Sequence, residues 1–409
     1  MVTISETRRW QLDGLTSTAE GLRSGAGTLD EQALTIINRL AGIGTDWQGE
    51  TRNQRELEAK DRTESMQEKA HRWRGGANVL DRAADQLGKL RTAILNRVDD
   101  PGNKQKYVIA DDGNVELSDT YVQTLNTKEA QDLAEVRRAN LETELRSLLA
   151  TADLAGQQYD WKVTNALTGT PDELRPFSPT VPPPTARPTA PKESADKDGS
   201  GPGQYNIDKP GFLDKAGLQG TRAWAEALVG STRAAGQQYS PDLLQHFLDG
   251  SGKPATMPVD NMLKDMPWFK QSADALTKDT MNTAIRAMPP GYEGPVAFQS
   301  DYTSLKSDGT PARPGATKNP DWFAALGTFS YQSSGVALQS GNGTYSVDAR
   351  TSIFDYYNFE TTDQKPWPQA SDLNKLHRAG WAQNFDTIGS SSVQTSNDQN
   401  LWMSLGRAA

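Results

Sequence analysis

A chain of 409 residues with a formal net charge of −9 is long enough for two or three domains, and its acidity argues against a nucleic-acid partner, because phosphate binding needs a basic surface. The absence of cysteine excludes disulfides, thiol nucleophiles and thiolate metal sites. No apolar run approaches the roughly 18 residues of a membrane-spanning helix, and residues 1–15 lack the apolar core of a secretory signal, so we expect no transmembrane segment and no signal peptide.

The first predicted element is a helix that carries one regular apolar stripe. Small alanines alternate with larger leucines and isoleucines along this stripe, at steps of four and three residues. This spacing places them on one face of an α-helix, and the small residues let a second helix approach closely. We therefore expect the segment to pack against a partner helix. The stripe consists of Leu15, Ala19, Leu22, Ala26, Leu29, Ala33, Ile36, Leu40 and Ile43.

A glycine-containing break at residues 42–49 predicts a turn after this helix. The four-three spacing then returns within residues 66–87 and predicts a second long helix, from Glu50 to Val98. The two helices are expected to form an antiparallel hairpin. The adjacent glycines at positions 75 and 76 predict a bend in the second helix, because glycine is a poor helix former.

A β-hairpin and a third helix complete the predicted N-terminal domain. Two short strand-like runs in residues 106–117 flank the turn signal Asp112-Gly113. The third helix is predicted over residues 127–167, and three helices predict an all-α antiparallel helical bundle over residues 1–170. The inward residues of the third helix are expected to be Ala130, Leu133, Leu141, Leu145, Leu148, Ala152, Ala155 and Tyr159.

The composition changes twice after the bundle. Residues 171–204 mix nine prolines with polar residues, which predicts a disordered Pro-rich linker because such a segment buries too little apolar surface. Residues 205–409 contain most of the aromatic side chains and predict an α+β C-terminal domain with an antiparallel sheet. In this domain one helix is expected over residues 259–288, strands on both sides of Asn342-Gly343, and a last helix over residues 372–383.

The tripeptide Trp47-Gln48-Gly49 lies between the two long helices. A tryptophan at this position can close the open end of a helix pair, and the glycine permits the reversal of the chain. In this placement the sequence resembles the W-x-G helical hairpin proteins exported by the ESX, or type VII, secretion systems of mycobacteria and related actinobacteria. The resemblance covers residues 1–170.

That family has a second signal, Y-x-x-x-D or Y-x-x-x-E, which lies beyond the second helix and is read by the secretion machinery. Tyr107 and Asp111 match its spacing. The match departs from the family pattern because Tyr107 falls in a predicted β-hairpin instead of continuing a helix. The alternative is that Tyr107 is one face of a small hairpin packed on the helices.

The resemblance implies a substrate or accessory protein of a type VII system. The partners implied are the secretion machinery or a helical partner protein. The implied location is outside the cell or in the cell envelope, by a route independent of a signal peptide, and otherwise the cytoplasm. The C-terminal domain is expected to act as an effector or interaction domain.

Four polar residues of the C-terminal domain are candidates for catalysis. His377 and Arg378 offer an imidazole for proton transfer beside a guanidinium for anion binding, and Asp355 and Asp386 are nearby carboxylates. Their pattern is similar to that of colicin M-like lipid II hydrolases, with Asn358 in place of a second Asp and a longer gap to the histidine. This implies a toxin-like hydrolase of a cell-envelope or host substrate.

Two alternatives to catalysis stay open. In the first, Asp355 and Asn358 shape a strand end while His377 and Arg378 lie on a solvated helix face. In the second, the domain is a structural or adhesive module that binds through its aromatic residues. No motif commits the chain to catalysis. No metal or cofactor site is expected either, because the chain has three histidines and no phosphate-binding or calcium-loop pattern.

Overall fold

A computed structural model describes residues 2–42, 50–168, 177–184, 201–339, 345–359 and 370–396. The chain divides into two compact units. The first unit comprises Met1–Thr180, Thr283–Phe298 and Val336–Thr344, and the second unit comprises Val181–Asn282, Gln299–Gly335 and Tyr345–Ala409. The sequence assigns all of residues 205–409 to one domain, whereas two of its segments group with the N-terminal helices.

The N-terminal part of the first unit is helical, with one small β-hairpin. Its elements are α1 (Ile4–Arg9), α2 (Asp13–Ala41), α3 (Glu50–Asp99), α4 (Pro101–Lys106), β1 (Tyr107–Ile109), β2 (Val115–Leu117), α5 (Asp119–Val122) and α6 (Lys128–Thr168). The bounds of α3 and α6 agree with the predicted second and third helices. Helix α1 was not predicted, although Thr3 and Glu6 begin it with a reciprocal capping box.

Helices α2 and α3 pack along the predicted stripe. Ala19, Ala26 and Ala33 of α2 are buried, as are Ala70 and Ala77 of α3, while the larger stripe residues of α2 are half-buried. Ion pairs join Arg23 to Asp81 and Arg74 to Asp30. Residue numbers therefore rise along one helix as they fall along the other, and the pair is antiparallel as predicted.

Helix α6 packs antiparallel on the second half of α3. Arg97 pairs with Glu144 at 2.7 Å near the C-terminal end of α3, and Gly76 lies against Leu167, near the last residue of α6. A Cβ at position 76 would lie 2.7 Å from Leu167 Cδ2, so glycine permits this close approach. Helix α3 is continuous through positions 75 and 76. Leu133 is 50% exposed, contrary to the inward position predicted for it, because the buried face of α6 passes through the adjacent Ala134 instead.

Part of the predicted linker is packed. Phe177 lies beside Ala150 and Leu154, with its ring centroid 6.1 Å from that of Trp161. Further on, Val181 is buried, and the Pro182 carbonyl accepts a hydrogen bond of 3.0 Å from the Ser334 hydroxyl. The prediction of a disordered spacer is therefore wrong for residues 177–184, whose apolar side chains find partners. Positions 171–176 and 185–200 lie outside the described residues.

The remainder of the chain is α+β. In order, its elements are α7 (Phe212–Ala234), α8 (Tyr239–Asp249), β3 (Ala255–Thr256), α9 (Val259–Asp265), α10 (Pro267–Ala287), β4 (Val296–Gln299), α11 (Pro320–Ala325), β5 (Ser330–Gln339), β6 (Tyr345–Tyr357), α12 (Ala370–Arg378), β7 (Phe385–Ser390) and β8 (Gln394–Ser396). The single helix predicted over residues 259–288 is two helices, because a proline at position 267 starts the second one. Helix α12 ends before the predicted residue 383, since Gly380 adopts a φ of +74° that ends the helix.

The sheet is mixed, in the order β3-β7-β6-β5-β4, with β8 also paired to β6. Strand β6 is antiparallel to β7 and to β8, whereas β3 is parallel to β7. The prediction of an antiparallel sheet is wrong for the pairing of β3 with β7 at the edge of the sheet. The parallel pair joins Ala255 to Thr387, which are far apart in the chain, so no local sequence pattern reveals it.

The core of the second unit is aromatic. Phe269 is fully buried, with ring centroids 5.1 Å from Phe329 and 5.4 Å from Tyr331, both edge to face. Phe247 and Phe359 pack in the same way, 4.8 Å apart. Edge-to-face contacts bring the positive ring edge to the negative ring face, and they fix the orientation of each side chain. This core joins the helices of the unit to its sheet.

Candidate functional site

His377 lies on the last turn of α12 with 1% of its surface exposed. Its Nδ1 accepts a hydrogen bond of 3.2 Å from the Asn384 backbone N–H. The proton of the neutral ring is therefore on Nε2, which donates to the Gly201 carbonyl at 3.2 Å. Burial lowers the pKa of the imidazole, opposed by the bond to Gly201 and assisted by the charge of Arg378. Both ring nitrogens are thus engaged within the fold, and the solvated helix face expected at this position is wrong.

Arg378 is held by residues 201–208, which we call the strap. Its Nε and Nη2 donate to the two carboxylate oxygens of Asp208 at 2.9 and 3.0 Å, and Nη1 donates to Gln204 Oε1 at 3.0 Å. The backbone N–H of Asp208 also donates to the Arg378 carbonyl at 2.9 Å. A two-pronged pair of this kind fixes the guanidinium plane. Arg378 therefore holds the strap on α12, and its fork is already filled by a carboxylate.

Asp355 and Asp386 lie on neighbouring strands but on opposite faces of the sheet. The antiparallel register of β6 and β7 places Tyr356 opposite Asp386 and Asp355 opposite Thr387. Directly opposed residues share a face, and successive residues of a strand alternate between faces. The two carboxylates therefore do not form a pair on one side. Beside them, burial raises the pKa of the Tyr357 hydroxyl, and the charge of Asp355 raises it further.

Tyr107 and Asp111, which match the secretion signal, both contact other residues of the first unit. Tyr107 is 7% exposed and packs against Val115 and Leu145, which is the position expected for one face of a packed hairpin. The Asp111 carboxylate accepts a hydrogen bond of 2.7 Å from the Ser5 backbone N–H. Hydrogen bonding by the Ser5 side chain, and then by the Ser5 backbone, lowers the pKa of Asp111. The two residues thus attach the hairpin to α6 and to the first turn of α1. Trp47 and Gly49 lie outside the described residues.

A buried charge cluster on α6 was missed by the sequence reasoning. Glu142 is 2% exposed and forms ion pairs with Arg138 and with Arg146, the second at 2.7 Å. Arg138 Nη1 also donates to the Val115 carbonyl of β2 at 2.9 Å. The cluster fastens the β-hairpin to α6. Its sequence signal is the spacing R-x-x-x-E-x-x-x-R, which places the three side chains on one helix face.

Three exposed apolar side chains mark the part of the helix pair that lies beyond the end of α6. Leu34 and Ile37 of α2 are 56% and 43% exposed, and Leu57 of α3 is 62% exposed. We call them the distal apolar residues. They lie outside the four-three stripe that packs α2 on α3, so the helix pair itself does not cover them.

The described residues contain no group of three carboxylate or imidazole side chains arranged to hold a metal ion. In the same part of the chain, no helix combines the length and the apolarity that crossing a bilayer requires. No family model, curated protein or solved structure matches this chain. A functional assignment therefore rests on the residues of this chain alone.

Proposed function

We propose that the chain is a substrate or accessory protein of an ESX, or type VII, secretion system. In this proposal the pair α2–α3 docks on the secretion machinery or on a helical partner protein, and the second unit is the effector or interaction domain. The observation that carries it is the antiparallel pair closed by an alanine stripe, with Trp47-Gln48-Gly49 in the connection between its helices.

The distal apolar residues support a docking role. Leu34 and Ile37 are three positions apart on α2, so they share one helix face. Covering an exposed leucine on binding removes apolar surface from water, which contributes about 25 cal/mol per Å² before the entropic costs of association are subtracted. The neighbouring ion pair of Arg74 with Asp30 supplies polar groups at the edge of the same surface. Protein interfaces commonly combine apolar side chains with polar groups at their rim.

The proposal is tested by comparing culture filtrate with cell lysate, in actinobacterial strains with and without a working type VII system. We expect the chain in the filtrate only when the system works. The variant Trp47→Ala is expected to remain in the lysate. Equal retention of the unaltered chain in both strains would contradict the proposal.

Docking is tested separately with the double variant Leu34→Ser, Leu57→Ser. Both side chains are exposed, so we expect far-UV circular dichroism and the melting temperature to change little while export falls. The matched control is Leu133→Ser, which alters an equally exposed leucine on α6. An equal loss of export in the control and the double variant would contradict a role specific to the distal surface.

The narrower role of Asp111 as part of an export signal has its own pair of variants. Asp111→Asn keeps a side-chain oxygen that can accept from the Ser5 N–H, but it removes the charge. Asp112→Asn makes the same change one position later, where the side chain accepts from the Asn114 N–H. A signal role predicts that only the first variant lowers export. Equal export of both variants would mean that Asp111 contacts α1 but has no role as an export signal.

The hydrolase alternative loses support from its four candidates. His377 and Arg378 are both bonded to the strap, and Asp355 and Asp386 lie on opposite faces of the sheet. A proton-transferring site needs an acid or base within hydrogen-bond reach of a substrate. These four residues do not provide that arrangement.

A further inference from the structure

Residues 181–184 form a short segment of the second unit whose conformation follows from its own sequence. The ring of a proline fixes φ near about −65°, and a residue that precedes a proline is restricted to the extended region. In Val181-Pro182-Pro183-Pro184 each of the first three residues precedes a proline. The sequence therefore restricts this backbone to an extended, polyproline II-like form, whose carbonyls have no partner within the segment.

Two buried side chains of the sheet bind the segment by its carbonyls. The Ser334 hydroxyl of β5 donates to the Pro182 carbonyl at 3.0 Å, and the side-chain amide of Gln299, on β4, donates to the Pro183 carbonyl. Strands β4 and β5 are neighbours in the sheet, and both donors are 1% exposed. Val181 and Pro182 are buried as well. Two successive carbonyls are thus bound by donors on adjacent strands, beside a buried Val-Pro step.

The segment lies on the face of the sheet opposite to α10. Ser333, the neighbour of Ser334 on β5, faces α10, where its hydroxyl is 2.6 Å from that of Thr277. Successive residues of a strand point to opposite faces, so Ser334 points away from α10. The helices of the core and the segment therefore use different faces of the same strand.

The chemistry of this contact suits a site that binds and releases its ligand. A proline-rich backbone is ordered before it binds, so little conformational entropy is lost on binding. The two donors can bond to water when the segment leaves, which avoids the cost of an unsatisfied buried group. Backbone carbonyls are common to all sequences, so another Val-Pro-Pro segment can make the same two hydrogen bonds.

We propose that this face of the sheet, with Ser334 and Gln299 as donors, is a binding site for a Val-Pro-Pro segment of a partner protein. Residues 181–184 of the chain itself occupy the site until the partner displaces them. The segment is attached to the chain, so its effective concentration at the site is high, of the order of millimolar for a short flexible connection. The inference concerns the second unit alone and does not depend on secretion.

The direct test is fluorescence anisotropy with a labelled, end-blocked heptapeptide that has the sequence of residues 178–184. The full chain carries Val181→Asp, which puts a charge in place of a buried side chain and so releases the chain's own segment. We expect saturable binding to this variant, and an apparent affinity about ten-fold lower for the unaltered chain, because its own segment competes. The control probe is the heptapeptide with the same Val181→Asp change. Equal binding of the two probes, or no binding of the unaltered one, would overturn the proposal.

A second releasing variant guards against loss of folding in the first. Pro182→Gly with Pro183→Gly keeps the buried valine but makes the unbound segment flexible, which favours release. We expect the same gain in affinity for the heptapeptide as in the first variant. Near-UV circular dichroism shows which of the two variants keeps the aromatic core intact. A folded variant that does not bind the heptapeptide would contradict the proposal.

Two neighbouring serines locate the bound peptide. In the Val181→Asp chain, Ser334→Ala removes one donor to the peptide carbonyls and should weaken binding about five-fold. Ser333→Ala removes a hydroxyl from the opposite face of the same strand and should leave the affinity unchanged. Equal losses in the two variants would overturn the assignment to this face.

The source of the displacing segment is tested by light scattering of the unaltered chain over a range of concentrations. We expect a monomer throughout, because each chain fills its own site. A dimer that Val181→Asp abolishes would mean that two copies exchange their segments, and it would overturn the assignment to a partner protein.

Discussion

The helix pair of the first unit and the aromatic core of the second unit are held together in different ways. Along α2 and α3 the fully buried residues are mostly alanines, which remove little surface each but allow the two backbones to approach over many turns. In the second unit, rings such as Phe247, Phe269 and Phe385 are fully buried. Each ring buries about 150–250 Å². The stabilising contacts are therefore distributed over many small residues in the helix pair, whereas in the second unit they are concentrated in a few aromatic rings.

This difference predicts opposite sensitivities to substitution. In the aromatic core, removal of one ring leaves a large cavity that the surrounding side chains cannot fill. In the helix pair, removing a methyl group should change the stability less than adding one, because the smallest residues set the distance between the two helix backbones.

The largest effect is expected for Phe269→Ala. Loss of a fully buried ring with edge-to-face contacts to Phe329 and Tyr331 should lower the free energy of unfolding of the second unit by about 3–5 kcal/mol. Urea unfolding followed by near-UV circular dichroism measures this change. The control Leu305→Ala alters a side chain that is 50% exposed and should change stability by less than about 0.5 kcal/mol. Comparable losses in both variants would contradict a concentrated core.

Glu142→Gln probes a buried charge in the first unit. The substitution leaves Arg138 and Arg146 without their shared carboxylate in a site where the Glu142 side chain is 3% exposed. We expect a loss of about 3 kcal/mol, near the low end for breaking a buried pair, because Arg138 keeps 20% of its side chain exposed. Thermal unfolding followed by far-UV circular dichroism is the measurement. Glu64→Gln, at an exposed pair with Lys60, should cost at most about 1 kcal/mol.

Two glycines of α2 should respond to alanine with opposite signs. A Cβ at position 25 would clash with the Trp73 ring, so Gly25→Ala should cost about 1–2 kcal/mol after the gain in helix propensity. Gly21 has nothing within 4 Å of an added Cβ, so Gly21→Ala should stabilise the helix by about 0.5–1 kcal/mol. Urea unfolding of the two variants side by side gives the comparison. A change in unfolding free energy of the same sign in both variants would show that close approach of the helices does not determine the stability of this pair.

The smallest effect is a pH dependence from His377. Its pKa is lowered in the folded chain, so the unfolded chain takes up the proton first as the pH falls below about 6.5. The contribution to stability is complete above that pH and is lost on acidification toward the folded pKa. His377→Gln should therefore flatten the dependence of unfolding free energy on pH between about pH 8 and about pH 5. Urea unfolding at several pH values within this range measures the change in slope.

Periodicity made the long helices predictable. The four-three stripe identified the α2–α3 contact, and the predicted second helix, Glu50 to Val98, differs from α3 by one residue. The turn at Asp112-Gly113 was also predicted, and Gly113 has the positive φ of 86° that such a turn requires. These features depend on neighbours in the sequence. A local pattern is therefore enough to reveal them.

The surroundings of the candidate site residues depend on distant parts of the chain. His377 is buried because Gly201 and Tyr205 of the strap cover it, and both lie far from it in the sequence. Asp355 and Asp386 are separated by the pleat of two strands whose register no local pattern specifies. A groove along residues 84–97 of α3 is closed by residues 286–290, nearly two hundred positions later. Composition identified these residues as polar but did not show what they contact.

The strap has a practical consequence for producing the second unit as a separate fragment. Sequence composition suggests a start at residue 205, but the Gly201 carbonyl is the acceptor for His377 Nε2, and Gln204 binds Arg378. A polypeptide beginning at residue 205 would lack both partners, leaving a buried imidazole N–H unsatisfied. Expression boundaries placed at or before residue 181 retain them, together with the Pro182 carbonyl that accepts from the Ser334 hydroxyl. Binding or activity screens on a shorter fragment would examine a weakened fold.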